Sequence, residues 1–158
     1  MKTSVKVHLE HFRSHSAKDV FLAPTLRMAK RWRHWKELAG VQSFHLELLC
    51  SYLIDRDGAA SGLEEGLRRL LLFIVRDLTN GVTWGEGNLE AFDDPVVILD
   101  PANAENNVAA RITRRELDAL VAAARTGYET LTLAQGLQFK GETEKLWKEL
   151  FGPGFAIE

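Results

Sequence analysis

A single cysteine in 158 residues leaves nothing for an internal disulfide to join, and it suits a reducing cytoplasm. That residue, Cys50, lies in Leu48-Leu49-Cys50-Ser51-Tyr52-Leu53, where a buried inert thiol is expected rather than a nucleophile. Long apolar runs are missing too. The longest, Leu70-Leu71-Leu72-Phe73-Ile74-Val75, stops at Arg76, far short of the roughly 20 residues of a spanning helix. The first residues are basic but carry no apolar signal-peptide core. Repeats, low-complexity tracts and linkers are absent. The expectation is a cytoplasmic chain forming one domain over residues 1–158, with no membrane partner.

Excess charge of one sign is lacking as well, since the net charge is −2. The distribution is uneven, however. Residues 1–40 carry nine Lys/Arg against three Asp/Glu, and the remainder eleven against nineteen. A basic end on an acidic body points to a localised anion site and argues against strong general nucleic-acid binding.

What is present reads as mostly helical. Residues 5–16 form a short helix. Pro24 opens a helix through about Ala39, with Met28, Trp32, Trp35 and Ala39 as its apolar stripe and Gly40 as its stop. Ser43 caps a third helix that ends at Asp55-Arg56-Asp57-Gly58. Ser61-Gly62-Leu63-Glu64 is a capping-box pattern for a fourth, running to Asn80-Gly81. Val82-Thr83-Trp84 and Val96-Val97-Ile98 look extended, across a Gly/Asp-rich loop. Thr113-Arg114-Arg115-Glu116 is a second capping box, opening an Ala/Leu-rich helix to Gly136, and residues 142–151 form a last one. The expected fold is therefore a mostly α, single-domain bundle of about five to six helices with a minor extended hairpin or bridge.

Several residues are placed to do chemistry. Lys30 lies about 200° around its helix from Trp32, away from the aromatic stripe, with Arg27 and His34 flanking it. It belongs either to a solvated basic face or to an anion site. Ser43 and Phe44 open a helix, where orphan N–H groups and the dipole suit a phosphate and an aromatic can stack on a base; a plain cap with a core aromatic explains the same pair. His8, His11 and His15 share one helical arc, compatible with zinc or with a surface face. Asp93, Asp94, Asp100, Asn106 and Asn107 suit a cation or simply turn chemistry. Asp55-Arg56-Asp57 spells Asp-x-Asp, but its position after an apolar helical run and before Gly58 marks a helix end.

Three ordered motifs carry a resemblance. Pro95-Val96-Val97-Ile98-Leu99-Asp100-Pro101-Ala102-Asn103 resembles the "VILDPADP" segment of 2′-5′-oligoadenylate synthetases and their bacterial cGAS/DncV-like relatives. Leu26-Arg27-Met28-Ala29-Lys30-Arg31-Trp32 looks like their "IRLVKHW". Ser43-Phe44-His45-Leu46-Glu47-Leu48-Leu49 looks like "QYALELL" and the "SYHLE"-type segment of cyclic-oligonucleotide synthases. Together they span roughly residues 20 to 110. The resemblance implies the C-terminal helical lobe of such nucleotidyltransferases, which make second messengers in antiviral defence. It implies nucleotide-binding roles for Lys30 on the donor triphosphate, Ser43 on phosphate and Phe44 in stacking on the base. Phe replaces the family's usual Tyr, so a phenol contact is lost while stacking survives.

The family's chemistry belongs to a palm lobe, in which a Gly-Ser turn, an Asp-x-Asp pair and a third carboxylate hold two Mg²⁺. No Gly-Ser precedes a suitable strand in this sequence. No catalytic residue and no metal ligand is therefore assigned, and the chain alone is expected not to catalyse nucleotidyl transfer. Mg²⁺ and nucleoside triphosphate are expected as cofactor and ligand only with a palm lobe. The partners expected are a nucleoside triphosphate and either a nucleotidyltransferase palm domain or a second copy of the chain, met through an apolar surface containing Phe12, Phe21, Trp32 and Trp35. The alternative function is a non-enzymatic nucleotide-sensing or helical protein-interaction module.

Overall fold

The computed structural model describes residues 5–85, 87–137 and 140–155. Six α-helices and one short hairpin follow in chain order: α1 (Val5–Lys18), α2 (Leu22–Trp35), α3 (Ser43–Asp57), α4 (Leu63–Arg76), β1 (Leu99–Asp100), β2 (Asn103–Asn107), α5 (Arg114–Gln135) and α6 (Lys140–Phe151). Helices α2 and α4 form the centre. Helix α3 packs on α2, α5 packs on α4 and α6, and α1 runs along α3.

Helix α2 stops at Trp35 rather than near Ala39. Its ending is a Schellman motif: Leu38 N–H donates to the Arg33 carbonyl and Glu37 N–H to that of His34. Glu37, not a glycine, takes the left-handed position with φ 54°, so Gly40 is not the stop. The buried stripe of α2 is Leu22, Thr25, Leu26, Ala29 and Trp32. Of the expected stripe, Trp32 is 2% exposed and Met28 is half-buried, but Trp35 is 46% exposed and Ala39 lies beyond the helix. The Trp35 indole N–H donates to the Glu149 carbonyl at 3.2 Å. Trp32 therefore contributes to the core and not to a docking surface. The exposed large apolar residues of the N-terminal part are Val5, Val7, Leu9, Val20 and Trp35.

The other caps are shifted or kept for local reasons. Gln42, not Ser43, is the N-cap of α3, and its N–H donates to Nδ1 of His45 at 3.0 Å. At α4 the expected Ser61–Glu64 box does not form: the N-cap is Gly62, which has no side chain to accept, and the Glu65 carboxylate takes the Ser61 N–H instead. Helix α4 ends at Arg76, and a 3₁₀ turn over Leu78–Asn80 carries the chain to Gly81. The Thr113 box stands as read: its hydroxyl accepts from Glu116 N–H at 3.2 Å, and its own N–H donates to Glu116 Oε2 at 2.8 Å. Gly127 lets α5 approach α4, since a Cβ there would sit 3.1 Å from Leu71 Cδ1.

The extended segments pair as expected in kind but not in detail. Val82 bridges Ile98 in parallel, with Val82 N–H donating to Val97 and Leu99 N–H to Val82, each at 2.9 Å. The hairpin itself joins Leu99–Asp100 to the polar strand Asn103–Asn107. Asn is a poor strand former, so side chains hold this pairing together. Asn107 Oδ1 accepts from Ile98 and Ala109 N–H, while its Nδ2 donates to the Val96 carbonyl and to Asp94.

Candidate functional site

Helices α2 and α3 lie side by side through a short turn, fastened by Arg33 donating to the Val41 carbonyl at 2.7 Å. This turn brings Lys30 over the first half of α3, where its ammonium sits 3.1 Å from Glu47 Oε1. Glu47 follows Ser43 by one turn on the same helical face, about 6 Å along the axis. Lys30 and Ser43 therefore flank one patch. The pair is more than a third exposed on the lysine side, so it is weak and exchangeable. The cations beside Lys30 divide by use. Arg31 donates to the Phe151 carbonyl, whereas Arg27 and His34 have no partner among the described residues.

Ser43 occupies the first residue of α3 instead of the cap. Its hydroxyl is half-buried, with no partner among the described residues. The N–H groups of Ser43 and Phe44 are among the orphan donors of the helix start. A partial positive charge, a free hydroxyl and a mobile ammonium thus share this end of α3.

Phe44 faces a different way. It borders an open depression together with His8, Asn106, Asn107, Val108, Ala110 and Arg111, which Lys30 does not line. One side of the ring is braced by His8, with centroids 4.7 Å apart and planes tilted by 46°. His8 is in turn held by Asp100, its Nε2 2.7 Å from Oδ1. A nucleotide has its phosphates and base separated by a ribose, and the first turn of α3 offers an anion patch and an aromatic on adjacent faces. Sequence reading singles out Lys30, Ser43 and Phe44 as candidates. It missed Arg111 and the bracing by His8, because neither lies in a motif and only the turn after β2 brings them to Phe44.

The remaining candidates resolve into structure. His8 pairs with Asp100 and His15 with Asp55, while the His11 ring packs against those of His15 and Trp84. Among the described residues no three His, Cys, Asp or Glu side chains are grouped to hold a metal ion. Asp55 takes His15 Nε2 at 2.9 Å. Burial raises its pKa, but the His15 hydrogen bond and the His15 and Lys18 charges bring it below the usual value. Asp57 pairs with Arg56, and Gly58 closes the helix with φ 83°, so Asp-x-Asp is a helix end. Asp100 accepts from Ala102 N–H at 2.8 Å, an Asx turn. Cys50 is buried and its thiol is pushed up to about 12, which leaves no thiolate for chemistry. No described helix is long and apolar enough to cross a membrane.

No family model matches the chain. It is 33% identical over 159 residues to the CBASS oligonucleotide cyclase CdnC of Escherichia coli strain KTE188, covering 99% of this chain and 49% of that protein. It is 26% identical over 165 residues to the cyclic AMP-AMP-AMP synthase of Escherichia coli strain MS 115-1, covering 98% and 51%. Among solved structures, E. coli MS115-1 CdnC with ATP superposes with a TM-score of 0.88 at 26% identity, over 99% of this chain and 52% of that one. The same enzyme in its HORMA-deltaN complex gives the same score. The chain is thus related to CBASS oligonucleotide cyclases and spans about half the length of the relatives it matches.

Proposed function

We propose that this chain is the helical, nucleotide-binding part of a CdnC-like oligonucleotide cyclase, corresponding to the C-terminal lobe of cGAS/DncV-like nucleotidyltransferases. The observation that carries the reading is the first turn of α3, where Ser43 and Lys30 flank one patch and Phe44 opens onto the adjoining depression. The ammonium of Lys30 leaves Glu47 for the triphosphate, a cheap exchange because the pair is half in water. Ser43 adds its hydroxyl and neighbouring N–H groups, and Phe44 stacks on the base. In this reading the carboxylates that hold metal for in-line transfer belong to a palm lobe supplied from outside this sequence. No group of this chain stands in for them, and no step here runs through a metal.

The test is ATP titration into the chain and three variants, with folding checked by circular dichroism. Charge-assisted contacts are worth about 1.5–3 kcal/mol, so Lys30→Ala and Ser43→Ala should each weaken ATP roughly tenfold or more. Glu47→Gln frees the ammonium and should hold or raise the affinity. AMP should bind more weakly than ATP. Equal ATP affinity in wild type, Lys30→Ala and Ser43→Ala removes the proposal.

A further inference from the structure

The depression beside Phe44 holds more than an aromatic face. Arg111 sits at its rim, exposed and without a partner among the described residues. Its backbone is set by a tight turn, in which Ala110 N–H donates to the Asn107 carbonyl and Ile112 N–H to that of Ala109, and Ile112 is buried beneath it. Asn106 lines the same depression. Its Nδ2 lies 3.4 Å from Asp100 Oδ2. A carboxylate only accepts, so the amide must turn its NH₂ inward, and Oδ1 is left facing outward as an acceptor. Neighbouring Asn107 is fully engaged, its amide oxygen and nitrogen each serving two partners. Asp100 accepts from Ala102 and is paired with His8. Among the amide and guanidinium side chains of the depression, Arg111 keeps an unengaged donor fork and Asn106 Oδ1 an unengaged acceptor.

We propose that Asn106 and Arg111 form a base-reading subsite for an amino-bearing base, adenine above all, stacked on Phe44. The inference rests on Phe44 being the stacking platform of the proposed nucleotide site. Stacking alone accepts any base. An edge that pairs with one acceptor and one donor fork must itself carry a donor next to an acceptor. Adenine has this on its major-groove edge, in the N6 amine and the adjacent ring nitrogen N7. The amine donates to Asn106 Oδ1 and the ring nitrogen accepts from Arg111. On that edge hypoxanthine carries a carbonyl in place of the amine and sets a second acceptor against Asn106 Oδ1; its matching donor, N1–H, lies on the other edge and requires the base to turn over. His8 supports the site by closing one side of the Phe44 ring, so the base takes the other.

Adenosine and inosine carry no phosphate and so probe the base subsite apart from Lys30 and Ser43. Each is titrated into the full chain and followed by NMR shifts, alongside ATP and ITP. Adenosine should bind roughly tenfold more tightly than inosine, the scale of one well-made contact. Asn106→Ala should abolish that preference. Arg111→Gln, a change at an exposed residue that leaves the core alone, should weaken adenosine several-fold. Adenosine binding that depends on Phe44 and Arg111 but not on Lys30 supports the subsite even if the triphosphate reading fails. Three outcomes overturn it: equal affinity for adenosine and inosine, no nucleoside binding, or an Arg111→Gln loss seen with ATP but not adenosine. The last would make Arg111 a phosphate contact and leave the triphosphate reading intact.

Discussion

At the scale of single residues, Trp32 and His45 show how one side chain ties separate elements. Trp32 is enclosed by α4 and α6 residues including Leu67, Leu71 and Phe151. Truncating a buried aromatic costs about 3–5 kcal/mol. Trp32→Ala should therefore lower the melting temperature by many degrees, and an unchanged melting curve would contradict this packing. His45 does two jobs. Its Nδ1 accepts the Gln42 N–H that starts α3, and its Nε2–H donates to the Val108 carbonyl at 2.9 Å, joining α3 to the turn after β2. Those partners fix one neutral tautomer, and burial holds the pKa of the ring below its ordinary value. Because Phe44 precedes it, His45 also fixes the backbone that carries the Phe44 ring. His45→Ala leaves two backbone groups unpaired and should destabilise the chain by about 1–3 kcal/mol in chemical denaturation.

At the scale of elements, α1 is a helix of low local amphipathicity held mainly by its histidines. His8 meets Asp100, His15 meets Asp55, and His11 packs between His15 and the edge of Trp84. Burial, followed by the charge of His15, lowers the pKa of His11 from 6.5 to about 4. Between those values the unfolded chain takes up a proton that the folded chain refuses, so stability falls as pH drops through the window. The lowered value of His45 acts in the same direction, and that of Asp55 does so only in acid, below its ordinary value of 3.8. Melting temperatures should fall steadily from pH 7 to pH 5, and His11→Phe should flatten part of that slope. A flat wild-type profile would contradict the burial of His11. The hairpin is likewise an element made by tertiary contacts, since Asn107 supplies bonds that its poor strand formers do not.

At the scale of the whole molecule, the chain spans about half the length of the cyclases it resembles. The described residues bring the Lys30 ion pair and the Phe44 depression to α3 and hold no His, Cys, Asp or Glu group fit for a metal ion. A homogeneous preparation given ATP with Mg²⁺ should make no oligonucleotide, as checked by chromatography of the products. Protein-dependent synthesis that survives purification would defeat the proposed division into a binding part and a separate palm. The bundle's centre, α2 against α4, buries the residues that set the spacing between the Lys30 face and α3. Core substitutions there are therefore expected to disturb nucleotide binding without touching the ligand.

Local chemistry in the sequence was enough for the helices, the Thr113 box, the helix end at Asp55-Arg56-Asp57 and the inert Cys50, because periodicity, caps and apolar context act over a few residues. Lys30, Ser43 and Phe44 were also legible as candidates, through motif order. Their arrangement was not. Glu47 is seventeen residues from Lys30, His8 is ninety-two from Asp100, and His45 is sixty-three from Val108. The Schellman ending at Glu37, the polar strand Asn103–Asn107 and the exposure of Trp35 also escaped the pattern. In each case a hydrogen bond or packing contact with another element outweighed a local propensity worth only tenths of a kcal/mol to about 1 kcal/mol. Local sequence could name the side chains; which of them share one patch, and which keep a free donor or acceptor, was decided only when the chain closed on itself.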